Sequence, residues 1–263
     1  MHPMLNIAIR AVRKGGNFVI QNYDTQKFFK DDIQKQQIFI KNIIKKTYKI
    51  ISEIIHKVYP NHIILNKDID HISKNIKNPI WIINELDGKK NFVNKFPHFC
   101  ISIAVIVRNS VEVSAIYDPV RNDLFTATKG QGSQLNGYRA RCSNTNTLSA
   151  AIIAANLPND INHKSLFYLE IYKKFMLHGI SFRCTGSSIL DLAYVASGKI
   201  DCCFYYNLNA INFISGKLQV QESGCLISNL KKEHQNINYN AINLISNPKF
   251  IRLITDSLKK INN

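Results

Sequence analysis

The chain has 263 residues, enough to bury a large core. Its length predicts one domain over 1–263, or two closely packed subdomains at about 1–140 and 141–263. Hydrophobic residues make up 45% of the sequence and charged residues 20%, which is typical of globular chains and excludes extended disorder. There is neither the run of about 18 apolar residues that a membrane span needs nor a secretory leader, so we expect a soluble cytoplasmic protein.

The net charge of +16 comes from 34 Lys and Arg residues against 18 Asp and Glu residues. Such an excess favours a polyanionic partner such as RNA. A second interpretation is compositional drift toward AT-rich codons, because 26 of the basic residues are Lys and only 8 are Arg. Arg binds phosphates through its planar fork, so a surface selected for RNA would be expected to keep more of it.

The six cysteines have no C-x-x-C pair and no zinc-ligand spacing. In a cytosolic chain of this length they are interpreted as reduced and mostly buried small apolar side chains. A disulfide framework is the alternative.

Helical periodicity marks the first part of the chain. Apolar residues recur at helical spacing over 4–23 and again over 38–58, where the opposite face carries several lysines. These two segments predict a pair of amphipathic helices.

After residue 80 the period changes to short β-rich runs separated by turn signals. The predicted strands cover 80–83, 101–107, 111–117 and 124–128, and form an antiparallel meander. Farther on, the pattern predicts a helix over 187–196 that stops at Gly198, a strand over 201–206 and a helix over 212–223. This order predicts layers of helix and sheet, with the helix at 38–58 packed on the meander.

Residues 81–92 read WIINELDGKKNF. This segment resembles the signature W-x-I-D-P-L-D-G-T-x-N-F of the inositol monophosphatase family. Further matching blocks at 117–137, at 186–198 and around Asn212 extend the resemblance over nearly the whole chain. The resemblance implies an α/β fold, the layered αβαβα sandwich that this family shares with fructose-1,6-bisphosphatase.

The family hydrolyses phosphate monoesters with two or three Mg²⁺ ions, which carboxylates hold and which activate the attacking water. The resemblance places the substrate-binding positions of this chain at Leu86, Asp87, Gly88, Lys89 and Arg183. For Arg183, a structural role or a place on a dimer face is the alternative.

Four family positions of the catalytic site carry unsuitable residues. Lys67 occupies the position where the family has a metal-binding glutamate, and Asn84 occupies the position of the first aspartate of the signature. Lys89 replaces the threonine that positions the attacking water, and Asn212 replaces a late aspartate. Asp87 and the Leu86 carbonyl are the remnants of the ligand set.

Two further positions depart from the family. Ile44 stands where an aspartate near the third metal is expected, and Tyr205 stands where a glutamate often binds the inositol hydroxyls. A lysine about 4 Å from a dication repels it by roughly 8 kcal/mol at an effective dielectric constant near 20. We therefore expect no Mg²⁺ cofactor and no intact catalytic residue.

A bacterial branch of the family has a second role that needs no phosphatase chemistry. Its members join the Nus-factor complex that modifies RNA polymerase during ribosomal RNA transcription. Resemblance to this branch implies a homodimer that contacts RNA polymerase, NusA and other Nus factors near nascent rRNA.

Three hypotheses follow. The chain is an antitermination scaffold with an inactive site, which the substitutions favour, or a Mg²⁺-dependent inositol-1-monophosphatase with residual activity, or a decaying product without a role.

Overall fold

The computed structural model describes residues 2–25, 32–66, 77–158, 162–229 and 242–259. The helices are α1 (Pro3–Thr25), α2 (Ile33–Val58), α3 (Lys89–Val93), α4 (His163–Leu177), α5 (Ser188–Ala196), α6 (Ala210–Glu222) and α7 (Pro248–Lys259). The strands are β1 (Ile63–Leu65), β2 (Ile80–Asp87), β3 (Cys100–Val107), β4 (Ser110–Asp118), β5 (Asp123–Thr128), β6 (Gly132–Leu135), β7 (Tyr138–Ala140), β8 (Ile152–Ala155), β9 (Ser181–Arg183), β10 (Cys202–Tyr206), β11 (Leu226–Asn229) and β12 (Ile242–Ser246). Over these residues no helix has both the length and the apolar character that crossing a bilayer requires.

The first sheet contains β1 to β7 in chain order. Its strands pair antiparallel, apart from the parallel pair of β1 and β2 at one edge. The meander predicted from the alternating runs is thereby confirmed, and each of the four predicted strands lies inside an observed one. The second sheet has the order β11-β12-β10-β8-β9 and mixes parallel and antiparallel pairs.

The two N-terminal helices form the outer layer on the first sheet. Helix α1 packs directly against β3 and β4, whereas α2 packs on α1 and reaches the sheet at β2. The predicted packing of the segment 38–58 on the meander is confined to β2, because α1 occupies the centre of that face. Helix α2 also begins earlier than predicted, since the Asp32 side chain caps it by accepting a hydrogen bond of 2.9 Å from the Lys35 backbone nitrogen.

Helices α5 and α6 lie between the two sheets. Helix α6 packs on β2 to β6 and on β11, and α5 packs on β3, β4, β10 and β12. Helices α4 and α7 cover the far face of the second sheet, where Tyr168, Phe175 and Phe250 pack with Phe204 in a fully buried cluster. The predicted αβαβα sandwich is confirmed. The second sheet begins at β8, after residue 151, and the division into subdomains near residue 140 stays a prediction.

Candidate functional site

Asp87 ends β2, at the point where the chain turns sharply into α3. Between Asn84 and Asp87 the pairing of β2 with β3 shifts register. Gly88 has φ +82°, and a Cβ there would lie 2.7 Å from the backbone oxygen of His98. Only glycine adopts this conformation at such close backbone approach, so the signature glycine fixes the direction in which Asp87 leaves the sheet.

Among the described residues, Ser187, Ile189 and Asn212 donate hydrogen bonds to the Asp87 carboxylate. Its Oδ2 accepts from the Ser187 hydroxyl at 2.7 Å and from the Ile189 backbone nitrogen at 3.0 Å, at the start of α5. Its Oδ1 accepts from the Asn212 side-chain nitrogen at 3.1 Å. Burial raises the pKa of Asp87, although these hydrogen bonds and the nearby charge of Lys89 oppose the shift.

Asn84 and Asn212 extend this contact into a network. The Asn84 amide nitrogen donates to Asn212 Oδ1 at 2.9 Å, while Asn84 Oδ1 accepts from the Leu86 backbone nitrogen at 3.1 Å. The Asn212 amide nitrogen also donates to the Ser188 hydroxyl at 2.8 Å. The network therefore connects β2 with α5 and α6 through neutral amides and a single carboxylate.

This set of groups does not fit Mg²⁺. The ion requires near-octahedral oxygen ligands, yet both Asp87 oxygens already accept hydrogen bonds and Asn212 turns a nitrogen toward Asp87. In the described part of the chain, no group of three or more His, Cys, Asp or Glu residues could hold a metal ion. Lys67 lies outside the described residues, so its place at this site stays a prediction. Lys89 is the first residue of α3, with an exposed side chain.

A cavity of about 420 Å³ opens beside Asp87. Its lining is about evenly polar and apolar and comes from β2, from the two central helices and from the second sheet. The lining residues are Asp87, Ala155, Asn156, Leu157, Cys184, Gly186, Ser187, Ser188, Tyr205, Asn207, Leu208, Asn209 and Asn212.

Comparison with known proteins decides the family. The profile of the inositol monophosphatase family matches residues 1–261. The chain belongs to the inositol monophosphatase family. The resemblance seen in the signature segment is thus confirmed.

Relatives in this family include Nus factors. The chain is 65% identical to the "Nus factor SuhB" of Buchnera aphidicola subsp. Schizaphis graminum over 99% of this chain and 98% of the relative. It is 38% identical to the "Nus factor SuhB" of Escherichia coli strain K12, over 98% and 97% of the two chains. Among solved structures, the extragenic suppressor protein suhB of Bartonella henselae superposes with a TM-score of 0.83 at 26% identity, over 98% of this chain and 99% of that chain. Inositol monophosphatase from Anabaena superposes with a TM-score of 0.77 at 23% identity, over 98% and 95%, which shows the shared fold.

Tyr205 and Ile44, the two other positions at which the sequence departs from the family pattern, lie in apolar or hydrogen-bonded surroundings. The Tyr205 hydroxyl donates to Asp191 Oδ2, to which Thr185 Oγ1 also donates at 2.8 Å. Burial raises the pKa of Asp191 to about 7. Tyr205 thus lines the cavity, and its hydroxyl is hydrogen-bonded to a buried carboxyl. Ile44 lies on α2, partly buried, and packs against the core.

Of the other positions that the resemblance assigns to substrate binding, Leu86 lies at the site and Arg183 lies outside it. Leu86 is fully buried next to Asp87. Arg183 ends β9 with an exposed side chain, donates to the Phe182 carbonyl at 2.9 Å and is absent from the cavity lining. The structure therefore brings Asn84, Asp87 and Asn212 together and leaves Arg183 outside the cavity.

Sequence reasoning missed three polar residues of the site. Ser187 and Ser188 contact Asp87 and Asn212, and Asn209 caps α6 by accepting from the backbone nitrogens of Ile211 and Asn212. Serine or asparagine directly before an apolar helical run is a helix-start signal, which could have located all three.

Proposed function

We propose that this protein is a SuhB-like Nus factor, a cytoplasmic scaffold in the ribosomal RNA antitermination complex whose family catalytic site does not hydrolyse phosphate esters. The hydrogen bond from the Asn212 amide to Asp87 Oδ1 supports the inactive site. The relatives that are named Nus factors support the role in transcription.

The amide network supports a site that is stable without metal. Several carboxylates facing one another repel unless cations separate them. Here Asn84 and Asn212 are neutral, and each donates to an acceptor within the network. A Mg²⁺ ion would have to displace these donors, break their hydrogen bonds at a partly buried site, and lose part of its own hydration.

The alternative is a Mg²⁺-dependent inositol-1-monophosphatase with residual activity. The cavity beside Asp87, about 420 Å³, is large enough for a small phosphorylated polyol and favours this alternative. Residual catalysis requires that Mg²⁺ binds despite the network.

A repair experiment separates the two candidates. The changes Lys67→Glu, Asn84→Asp, Lys89→Thr and Asn212→Asp restore the family's residues at the four altered positions. Wild type is expected to show no Mg²⁺-dependent hydrolysis of inositol-1-phosphate, and the fourfold variant should gain some. Each single change should do almost nothing, because residues that act as a unit are strongly non-additive. Wild-type hydrolysis near the rate of the repaired variant would establish the phosphatase instead.

The scaffold role is tested by partner capture. Tagged protein from the source cell should retain RNA polymerase, NusA and nascent rRNA, and the fourfold variant should retain them equally. The exposed side chains of Lys41, Lys45 and Lys46 along α2 offer a basic surface for the RNA. If correctly folded wild-type protein captured none of these partners, the proposal would be contradicted.

We also infer a homodimer, which the apolar surface of α4 supports. This helix exposes Leu166, Phe167, Met176 and Leu177, the last at 79% of its full area. Exposed apolar side chains clustered on one element are typical of interfaces. Light scattering should report a dimer for wild type and a monomer for the double variant Met176→Glu, Leu177→Glu. The matched control is Val58→Glu at the exposed end of α2, which should stay dimeric.

A further inference from the structure

Two cysteines that are distant in the sequence meet where the edges of the two sheets approach each other. Cys142 follows β7, the edge strand of the first sheet, and Cys225 precedes β11, the edge strand of the second. The Cys142 backbone nitrogen donates to the Ser223 carbonyl at 3.2 Å, which holds the two chain segments side by side.

The two side chains share one apolar cluster. The half-buried Cys142 packs against the buried group that includes Cys225. The Cys142 sulfur lies 3.9 Å from the position that a Cβ on Gly224 would occupy, next to Cys225 in the chain. The Ser223 hydroxyl lies 3.4 Å from the Cys225 sulfur.

The two thiols differ in accessibility and acidity. Cys142 is half-buried, and the hydrogen bond from Cys225 lowers the pKa of its thiol to about 7. Cys225 is buried, and its hydrogen bond to Cys142 together with burial raises the pKa of its thiol. A reachable thiol of low pKa attacks disulfides readily, and a shielded neighbour can then resolve the mixed disulfide.

We propose that Cys142 and Cys225 form a reversible disulfide when the protein meets a low-molecular-weight disulfide such as oxidised glutathione. The Cys142 thiolate attacks one sulfur of glutathione disulfide, whose S–S bond breaks and releases one glutathione thiolate. The Cys225 thiol then gives its proton to solvent and attacks the Cys142 sulfur, which expels the second glutathione. The two protein thiols lose two electrons together, and the glutathione disulfide is reduced to two thiols.

The bond would close a loop of the chain between residues 142 and 225. This loop contains β8, β9, β10 and the helices α4 to α6, including the helix that carries Asn212. Closing so long a loop restricts the unfolded chain, so oxidation should raise the melting temperature by roughly 5 °C. This modification is independent of the proposed role in transcription.

The test uses the purified full chain in glutathione redox buffers at pH 7.5. Wild type should lose two of its six free thiols, with a mass lower by two hydrogens. Peptide mapping should recover a peptide pair linked through Cys142 and Cys225, and reductant should reverse the change in mass and in melting temperature.

Three variants complete the test. Cys142→Ser at the half-buried position and Cys225→Ser at the buried position should both abolish the bridge. If Cys225→Ser disturbs core packing, the result for Cys142→Ser still decides the test. Cys184→Ser removes an exposed thiol and should leave the bridge intact. A persistent glutathione adduct on Cys142, a bridge through Cys184, or six free thiols in fully oxidised glutathione would each overturn the proposal.

Discussion

The substitution Asn212→Asp tests the amide network directly. It keeps the size of the side chain and replaces the amide nitrogen, which donates to Asp87 Oδ1 at 3.1 Å, with a carboxylate oxygen. A carboxylate at this half-buried position would then face the buried Asp87 carboxylate across the gap that a hydrogen bond now closes. We expect the variant to unfold more easily than wild type at neutral pH.

The magnitude follows from this distance. Two unit charges 3.1 Å apart repel by about 5 kcal/mol at an effective dielectric constant near 20, which is an upper limit because the pair can bind a proton. Loss of a hydrogen bond to a charged group costs about 1.5–3 kcal/mol. With part of the repulsion relieved, the expected loss is about 3 kcal/mol, or roughly 6–12 °C in melting temperature.

The effect should depend on pH with a definite sign. The added carboxyl and Asp87 both have folded-state pKa values raised above those of the unfolded chain, since burial already raises the pKa of Asp87 in wild type. Raised folded-state values destabilise the protein as pH increases through them. The stability difference from wild type should therefore be largest near pH 8 and shrink as the pH falls toward 5.

Urea denaturation at pH 5 and pH 8, followed by circular dichroism, measures this difference. The matched control is Asn209→Asp, the same chemical change three residues earlier in the chain. Asn209 caps α6 by accepting hydrogen bonds, a role that aspartate performs equally well at a helix N-terminus. If Asn212→Asp proved as stable at pH 8 as Asn209→Asp, the amide network would not hold the site together.

Three further outcomes are expected. Gly88→Ala should cost about 3 kcal/mol in urea denaturation, because a Cβ at φ +82° would meet the backbone oxygen of His98 at 2.7 Å. Gly216→Ala should lower the melting temperature by roughly 2–10 °C, because its Cβ would lie 2.4 Å from Leu192 Cδ1 and force α5 and α6 apart. Asp191→Asn should flatten the stability–pH profile between about pH 4 and 7: burial raises the pKa of Asp191 to about 7, so its charged form destabilises wild type as the pH rises through that window.

Features that depend on local sequence were predictable. The meander followed from alternating apolar residues, α1 and α2 from helical periodicity, and the family from a contiguous signature around Asp87. The amides at Asn84 and Asn212, where the resemblance to the family predicts carboxylates, were equally visible, because residue identity needs no structure. Helix α7 carries a helical apolar pattern through Phe250, Ile251 and Ile254, and sequence reasoning overlooked it.

Helix α4 gave no such pattern. Its buried face uses Tyr168, Ile171 and Phe175, but Leu166, Leu177 and other apolar residues point outward. Apolar side chains therefore also occupy the outer face, beside the exposed Glu170 and Lys173, and the periodic contrast between faces that marks an amphipathic helix is weak. An interface on the outer face would explain why the contrast is weak.

The sequence by itself determined the family, the strand pattern and the presence of amides at Asn84 and Asn212. Only the tertiary structure decided what these amides contact. Asn212 is 125 residues from Asp87 in the chain, and their hydrogen bond exists because α6 is packed between two sheets with its N-terminus at the end of β2. Cys142 and Cys225 likewise meet only because two sheet edges converge. Such contacts depend on the relative position of whole elements, which core packing fixes and local sequence patterns do not encode.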